Sequence, residues 1–200
     1  EYAAALSEIL QDRATELETA WDTFSAHLVT PGGENPHFPT TQDALNAVSD
    51  SLFYFDKITK DAKLGIPLGL SNCEEELCPN AVESQYAAAS TLHLRENLVG
   101  MKMVLFGGSE AVEAGQYGWV DLLASLGGSD LANDMLDGLD AALLALDALE
   151  GTTLKDGLST HFEEVSTVYN RIQAVTTIMK GPFLSTLNLQ IPASAATDND

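Results

Sequence analysis

Apolar residues recur at helical spacing along most of this 200-residue chain, and no segment alternates with a period of two for long enough to form a strand. The clearest stripe consists of Leu131, Met135, Leu139, Ala142, Leu146 and Leu149. Clusters of glycine, proline and serine interrupt the pattern at intervals that suit helix ends. The sequence therefore predicts an all-α, up-and-down bundle of four to five long helices.

The interruptions also predict where each helix begins and ends. Long helices are expected over residues 2–28, 41–63, 90–106, 130–149 and 154–180, with a short helix near residues 118–125. Thr40 or Thr41 is the expected cap of the second helix. The helix over residues 90–106 is apolar on two sides, which predicts a central place in the bundle. Residues 1–191 are predicted to form one bundle and residues 192–200 a flexible tail.

The charge of the chain limits its partners. Thirty acidic residues against nine basic ones give a formal net charge of −21. Such a field repels nucleic acid and anionic membrane surfaces and attracts cations or basic partners. No run of eighteen apolar residues is present, so no transmembrane segment is predicted. These features argue against nucleic acid as a ligand and are otherwise explained by solubility of the surface.

Both cysteines of the chain, Cys73 and Cys78, lie in a segment over residues 63–80 that is too rich in glycine and proline for a helix. Four residues separate them, which does not match the two-residue gap of structural zinc sites, and no second Cys/His pair follows. The spacing therefore disfavours a zinc site, and both a closed loop and a hinge remain open as alternatives.

A column of polar residues follows on the next predicted helix. Ser90, His93 and Asn97 stand at positions i, i+3 and i+7, along the edge of an apolar face. Half-buried polar groups of this kind must be hydrogen-bonded to avoid a cost of about 1 to 3 kcal/mol each. They are expected either to tie down the loop around Glu83 or to form a ligand-binding or domain-facing site, and both alternatives remain open.

Two further sets of residues are weak metal candidates. His161 and Glu164 form an H-x-x-E pair that could offer two ligands from one helix face, but no third ligand is evident and a salt bridge or hydrogen bond is the simpler interpretation. Asp130, Asp134 and Asp137 line one side of a helix, where a solvated face is expected. The sequence contains no nucleophile elbow, H-E-x-x-H motif or phosphate loop, so it predicts no catalytic residues.

The segment over residues 83–100 resembles a motif of the imelysin-like family of bacterial exported proteins. That motif reads roughly E-S-x-Y-S-x-x-S-x-x-x-[LI]-x-x-N-[LI]-x-G. The matching residues are Glu83, Ser84, Tyr86, Ser90, Leu94, Asn97, Leu98 and Gly100. Ala87 departs from the motif where a serine is common. The preceding Leu-Gly-Pro loop with its Cys-Pro pair and the terminal Asp198-Asn199-Asp200 extend the likeness over most of the chain.

The resemblance carries several expectations. Members of that family are exported to the periplasm or the outer membrane and consist of two helical bundles, of which this chain looks like the second. We therefore expect a periplasmic or outer-membrane-associated protein, a disulfide between Cys73 and Cys78, and the other bundle of the same protein as a partner. No leader follows Glu1, so any targeting segment is expected to have been removed or to lie outside this sequence.

The family resemblance also suggests a function. Several members are tied to iron uptake, which implies binding of iron, another divalent cation or a small ligand at a site shared with the other bundle. The wall contributed by this chain would consist of Glu83, Ser84, Ser90, His93 and Asn97. The family is named for a peptidase, but its Gly-x-His-x-x-Glu signature is absent from this sequence. A metallopeptidase and a purely structural or protein-interaction bundle are the alternatives.

Overall fold

The computed structural model describes residues 2–108 and 117–196, and within these ranges every regular element is helical. The predicted all-α, up-and-down bundle is confirmed. The α-helices are α1 (Tyr2–Val29), α2 (Thr41–Leu52), α3 (Ser90–Phe106), α4 (Trp119–Ser125), α5 (Ser129–Asp147), α6 (Leu154–Thr160), α7 (Phe162–Ile178) and α8 (Leu184–Leu187). Two π-helices, Phe55–Gly65 and Met179–Phe183, and a 3-10 turn at Pro79–Ala81 complete the described elements. No described helix is long and apolar enough to cross a membrane.

The chain divides into two compact units, residues 1–49 and residues 50–200, with the boundary inside α2. A single bundle over residues 1–191 stays a prediction. In the first unit, α1 is a regular helix without a buried residue. Thr40 caps α2 as predicted: its hydroxyl accepts from the backbone N–H of Asp43, whose carboxylate accepts from the Thr40 backbone N–H.

In the second unit the most extensive helix contact joins α5 and α7. Of the predicted stripe, Met135, Leu139, Ala142 and Leu146 of α5 and Leu149 just beyond it are buried, whereas Leu131 is only partly buried. On α7, Val165, Val168, Ile172 and Val175 are buried as well. Against this pair lie α3, α4 and the first π-helix. Apolar residues at helical spacing therefore form the core, because packing the apolar faces of the helices together removes them from water.

The second predicted helix was wrong in its form. Instead of one α-helix over residues 41–63, α2 ends at Leu52 and a π-helix runs from Phe55 to Gly65. The backbone N–H of Ile66 donates to the carbonyl of Asp61, five residues earlier. π-helices are rare, are mostly a single turn long and are frequent at functional sites. This one has eleven residues. Its wider turn buries three charged residues, Asp56, Lys60 and Lys63, on one side.

The predicted helix over residues 154–180 was also wrong as a continuous element. The backbone of His161 leaves the helical region at φ −139° and ψ 44°, so α6 and α7 are separate helices. Phe162, the first residue of α7, is 44% exposed. The helical path then continues through the second π-helix, which contains Gly181 and Pro182, into α8. The sequence had predicted that the helix ends at Lys180.

The prediction that α3 is central was half right. Leu94, Leu98, Met101 and Leu105 are buried, but the second apolar side, with Leu92, Val99 and Met103, is exposed. Near the chain end, Ala195 is buried in a turn, with its backbone N–H donating to the carbonyl of Pro192. Residues 197–200 lie outside the described residues, so the flexible tail stays a prediction.

Candidate functional site

A disulfide-closed loop leads into the predicted site. Cys73 and Cys78 are bonded, with their Cα atoms 6.0 Å apart, which confirms the predicted disulfide. The backbone N–H of Cys78 donates to the carbonyl of Pro67 and folds the loop onto itself. Gly69 makes this approach possible, because it has φ +76° and a Cβ there would lie 2.1 Å from the carbonyl oxygen of Glu76. The 3-10 turn that follows delivers Glu83 to the start of α3.

Four side chains form a polar network where this loop meets α3. Lys63 Nζ, from the first π-helix, lies 3.1 Å from Glu83 Oε2 and donates to Asn97 Oδ1 at 2.8 Å. His93 Nδ1 lies 3.6 Å from Glu83 Oε2. We call Lys63, Glu83, His93 and Asn97 the edge network. Lys63, which the sequence analysis missed, is its hub.

The two predicted serines stand beside this network. Ser90 is buried, and its hydroxyl donates to the backbone carbonyl of Glu83, which is the loop-tethering role considered from the sequence. Ser84 Oγ lies 3.4 Å from His93 Nδ1. Ser84 has φ +52°, a left-handed conformation that costs a non-glycine residue of order 1 kcal/mol and clusters at functional sites. The structure thus brings all five predicted residues together at one place.

The edge network is buried at its base and open at its rim. The Lys63 side chain is 10% exposed, whereas those of Glu83 and His93 are 44% and 41% exposed. The Lys63 ammonium also lies 5.8 Å from the ring centroid of Tyr54, within range of a cation–π contact. The Glu83 carboxylate is therefore held near the surface by the Lys63 ammonium, and the His93 imidazole lies beside that carboxylate. Nothing in the described chain covers these two groups completely.

A cavity of about 300 Å³ adjoins the network along α3. Its walls are mainly apolar, with Leu52, Phe55, Met101 and Val104. Asn97 lines both the cavity and the edge network, and Thr59 lines it with a fully buried hydroxyl that has no hydrogen-bond partner. Buried hydroxyls are nearly always bonded. Gly100 has open space where a Cβ would stand, so the floor is accessible.

A second charged group on the first π-helix has a fully buried ion pair at its centre. Asp56 and Lys60 are fully buried and pair at 3.0 Å, and Lys180 Nζ, at 3.3 Å, reaches Asp56 from the second π-helix. Lys57 and Asp61 complete what we call the buried cluster. The ammonium groups meet Asp56 at ion-pair distance without hydrogen-bond alignment. Four of the nine basic residues of the chain thus gather around the first π-helix.

The other metal candidates do not assemble. His161 lies between α6 and α7, with its Nδ1 2.8 Å from the Thr160 hydroxyl, so it does not share a continuous helix with Glu164 as the spacing assumed. The predicted aspartates of α5, Asp130, Asp134 and Asp137, are exposed. Among the described residues no group of three or more His, Cys, Asp or Glu side chains could hold a metal ion. The H-x-x-E spacing also occurs at His93 and Glu96, and Glu96 lines the cavity.

The fold and the site define an all-α protein with a disulfide-closed loop and a half-exposed polar network beside α3. The chain belongs to the imelysin family, whose model, described as Imelysin, matches residues 1–179 and so covers the edge network, the first unit and most of the second. No curated protein and no solved structure matches the sequence.

Proposed function

We propose that this chain is a binding bundle of an exported imelysin-family protein and that the edge network forms one wall of a site for a small ligand or cation used in iron acquisition. The other, N-terminal bundle of the same protein would form the opposite wall. One observation carries the proposal: Glu83 and His93 lie 3.6 Å apart and stay half exposed, and Asn97, which accepts from the buried Lys63 of the same network, lines a cavity with an unsatisfied Thr59 hydroxyl. A purely structural network would be expected to have no cavity beside it.

The charges favour a ligand that brings its own coordination sphere over a bare cation. The Lys63 ammonium, 3.1 Å from Glu83, already compensates that carboxylate and repels a second positive charge. The described residues also lack a third metal ligand near Glu83 and His93. A small molecule that carries a metal ion would instead form hydrogen bonds with Glu83, His93 and the free amide group of Asn97. Its apolar parts would lie in the cavity.

The metallopeptidase alternative has less support. His161 and Glu164 offer at most two ligands on separate structural elements, and the family signature Gly-x-His-x-x-Glu is absent from the sequence. Catalytic zinc sites use three protein ligands and keep a fourth position for water. No further observation among the described residues supplies the missing ligand.

Calorimetry with a neutral ferric trihydroxamate complex, which carries amide N–H donors and apolar methylene groups, and with Fe²⁺ and Zn²⁺ salts separately, tests the proposal on the chain alone and joined to the other bundle. Replacing Glu83 by Gln and Asn97 by Ala should weaken binding of the ferric complex by at least about tenfold, since buried or half-buried polar partners contribute of order 1 to 3 kcal/mol each.

The matched control is Glu74→Gln, which removes one exposed negative charge from the same loop. It should leave the affinity unchanged. Equal affinities of the parent and the Glu83→Gln/Asn97→Ala variant for every probe would overturn the proposal.

A further inference from the structure

The loop between α1 and α2 brings two histidines together in the first unit, far along the sequence from the edge network. His27 lies in the last turn of α1 and His37 in the loop P-G-G-E-N-P-H-F-P that follows. Their ring centroids are 4.7 Å apart, with the ring planes at 69°. The chain has four histidines, so half of them meet at this one place.

Asn35 holds the loop in the conformation that creates the pair. Its amide group donates to the backbone carbonyls of His27 and Thr30 at 2.8 and 3.0 Å. Its carbonyl oxygen accepts from the backbone N–H groups of His37 and Phe38, both at 3.0 Å. One side chain therefore ties the end of α1 to the segment that carries His37, and the position of the two rings is set before any ligand arrives.

The surrounding residues restrict the rings further. Phe24 lies one helical turn before His27, and its ring centroid is 6.2 Å from that of His27 and 5.3 Å from that of His37. Phe38 is buried and packs on Phe24 at 5.8 Å. Gly32 allows the tight return of the chain, with φ +96° and its backbone N–H donating to the carbonyl of Phe38. His37 remains exposed, so the pair is accessible from solvent.

The separation of the rings suits a shared metal ion. A metal–nitrogen bond of about 2.0 to 2.1 Å places each imidazole centroid about 3.2 Å from the ion, so two such ligands at angles between square and tetrahedral have centroids about 4.5 to 5.2 Å apart. The observed 4.7 Å falls within this range. An edge-to-face contact between two uncharged rings would give a similar distance, and binding experiments separate the two interpretations.

The charge of this region favours a cation. Residues 2–49 contain seven acidic residues and one basic residue, Arg13. A negative field of this kind raises the local concentration of divalent cations. Imidazole ligands select copper, nickel and zinc over calcium and magnesium, and affinity increases toward copper(II).

We propose that His27 and His37 form a two-histidine site for a borderline divalent transition metal ion, with copper(II) bound most tightly and water completing the coordination. The described residues supply no third His, Cys, Asp or Glu ligand, so the ion keeps open positions. The proposal is independent of the edge network, which lies on other elements and uses other residues.

The test is titration of the full chain with Cu²⁺ and Zn²⁺ by calorimetry, with electron paramagnetic resonance of the copper complex. We expect one saturable ion per chain and a nitrogen-coordinated copper spectrum. His37→Gln and His27→Gln should each lower the affinity at least about tenfold, since even outer-shell changes cost 10- to 100-fold at metal sites. Asn35→Ala should cause a smaller loss, because both ligands remain but the loop is no longer tied.

His161→Gln is the matched control and should bind as the parent does. His37 is exposed, so its variant is expected to fold, and circular dichroism checks this for every variant. Parent-like copper binding by a folded His27→Gln/His37→Gln chain would overturn the proposal. So would loss of binding in the control or the absence of saturable binding in the parent.

Discussion

The two charged groups around the first π-helix contain similar residues but differ in their access to water. The buried cluster sets Asp56 among three lysines with no exposure of Asp56 or Lys60, whereas the edge network leaves Glu83 and His93 almost half exposed. Sealed charges make single removals costly, while open charges contribute little to stability and remain available to a ligand. The stability of the fold therefore depends on the buried cluster, whereas the edge network is available to a ligand.

The largest effect should come from Asp56→Asn. Removing the carboxylate leaves three ammonium groups in or near the core without their shared counter-charge, so we expect a loss of about 3 to 5 kcal/mol in the free energy of unfolding. Urea denaturation followed by circular dichroism measures it. Asp134→Asn on the exposed side of α5 is the control and should change stability by less than about 0.5 kcal/mol.

A double variant tests whether Asp56 and Lys60 of the buried cluster stabilise each other. Asp56→Asn combined with Lys60→Met should be less destabilised than the sum of the two single variants, because each change removes the cost left by the other. Additive losses would show that the two residues do not stabilise each other and would weaken the contrast between the clusters.

An intermediate effect is expected from opening the loop that carries Glu83. Replacing Cys73 and Cys78 by serine should cost about 2 kcal/mol on the chain-entropy model for so short a loop. Hydrogen exchange should increase over residues 66–84, while amides of the first π-helix stay protected. Equal loss of protection in both segments would contradict the separation of the loop from the buried cluster.

The smallest effect on stability should come from Glu83→Gln. A half-exposed ion pair contributes at most about 1 kcal/mol, and salt screens that contribution. We therefore expect the variant to unfold within about 1 kcal/mol of the parent and the difference to shrink in 1 M sodium chloride. A loss comparable to that of Asp56→Asn would assign Glu83 a structural role and count against the proposed site.

Sequence reasoning grouped five residues of the candidate site but missed Lys63, which links Glu83 to Asn97. Ser90, His93 and Asn97 could be placed on one helix edge because spacing alone determines which residues share a face. Lys63 could not be placed, since it reaches Asn97 across 34 positions in the chain. The sequence did contain a weak signal of the buried cluster on the same helix. Asp56–Lys60 and Lys57–Asp61 are opposite charges four residues apart, in a segment that also contains apolar residues. That pattern was compatible with a solvated helix face.

The π-helix and the break at His161 were beyond sequence reasoning for a related physical reason. Local patterns over residues 41–63 and 154–180 are both compatible with continuous α-helices. Nothing in the residue types of positions 55–65 explains why the backbone bonds five residues back instead of four. The apolar side of α3 with Leu92, Val99 and Met103 shows the same limit, since a pattern states that a surface is apolar and not what covers it.

The sequence by itself determined the all-α class, the helix stripes that form the core, the capping of α2 by Thr40 or Thr41, and the column of polar residues at the start of α3, because these depend on spacing within a few turns. The family resemblance added the disulfide. Only the tertiary structure decided which charges are sealed and which are open, and that His27 and His37 meet. Those outcomes depend on contacts between segments distant in the chain, where burial and dielectric environment are set by the packing of the whole unit.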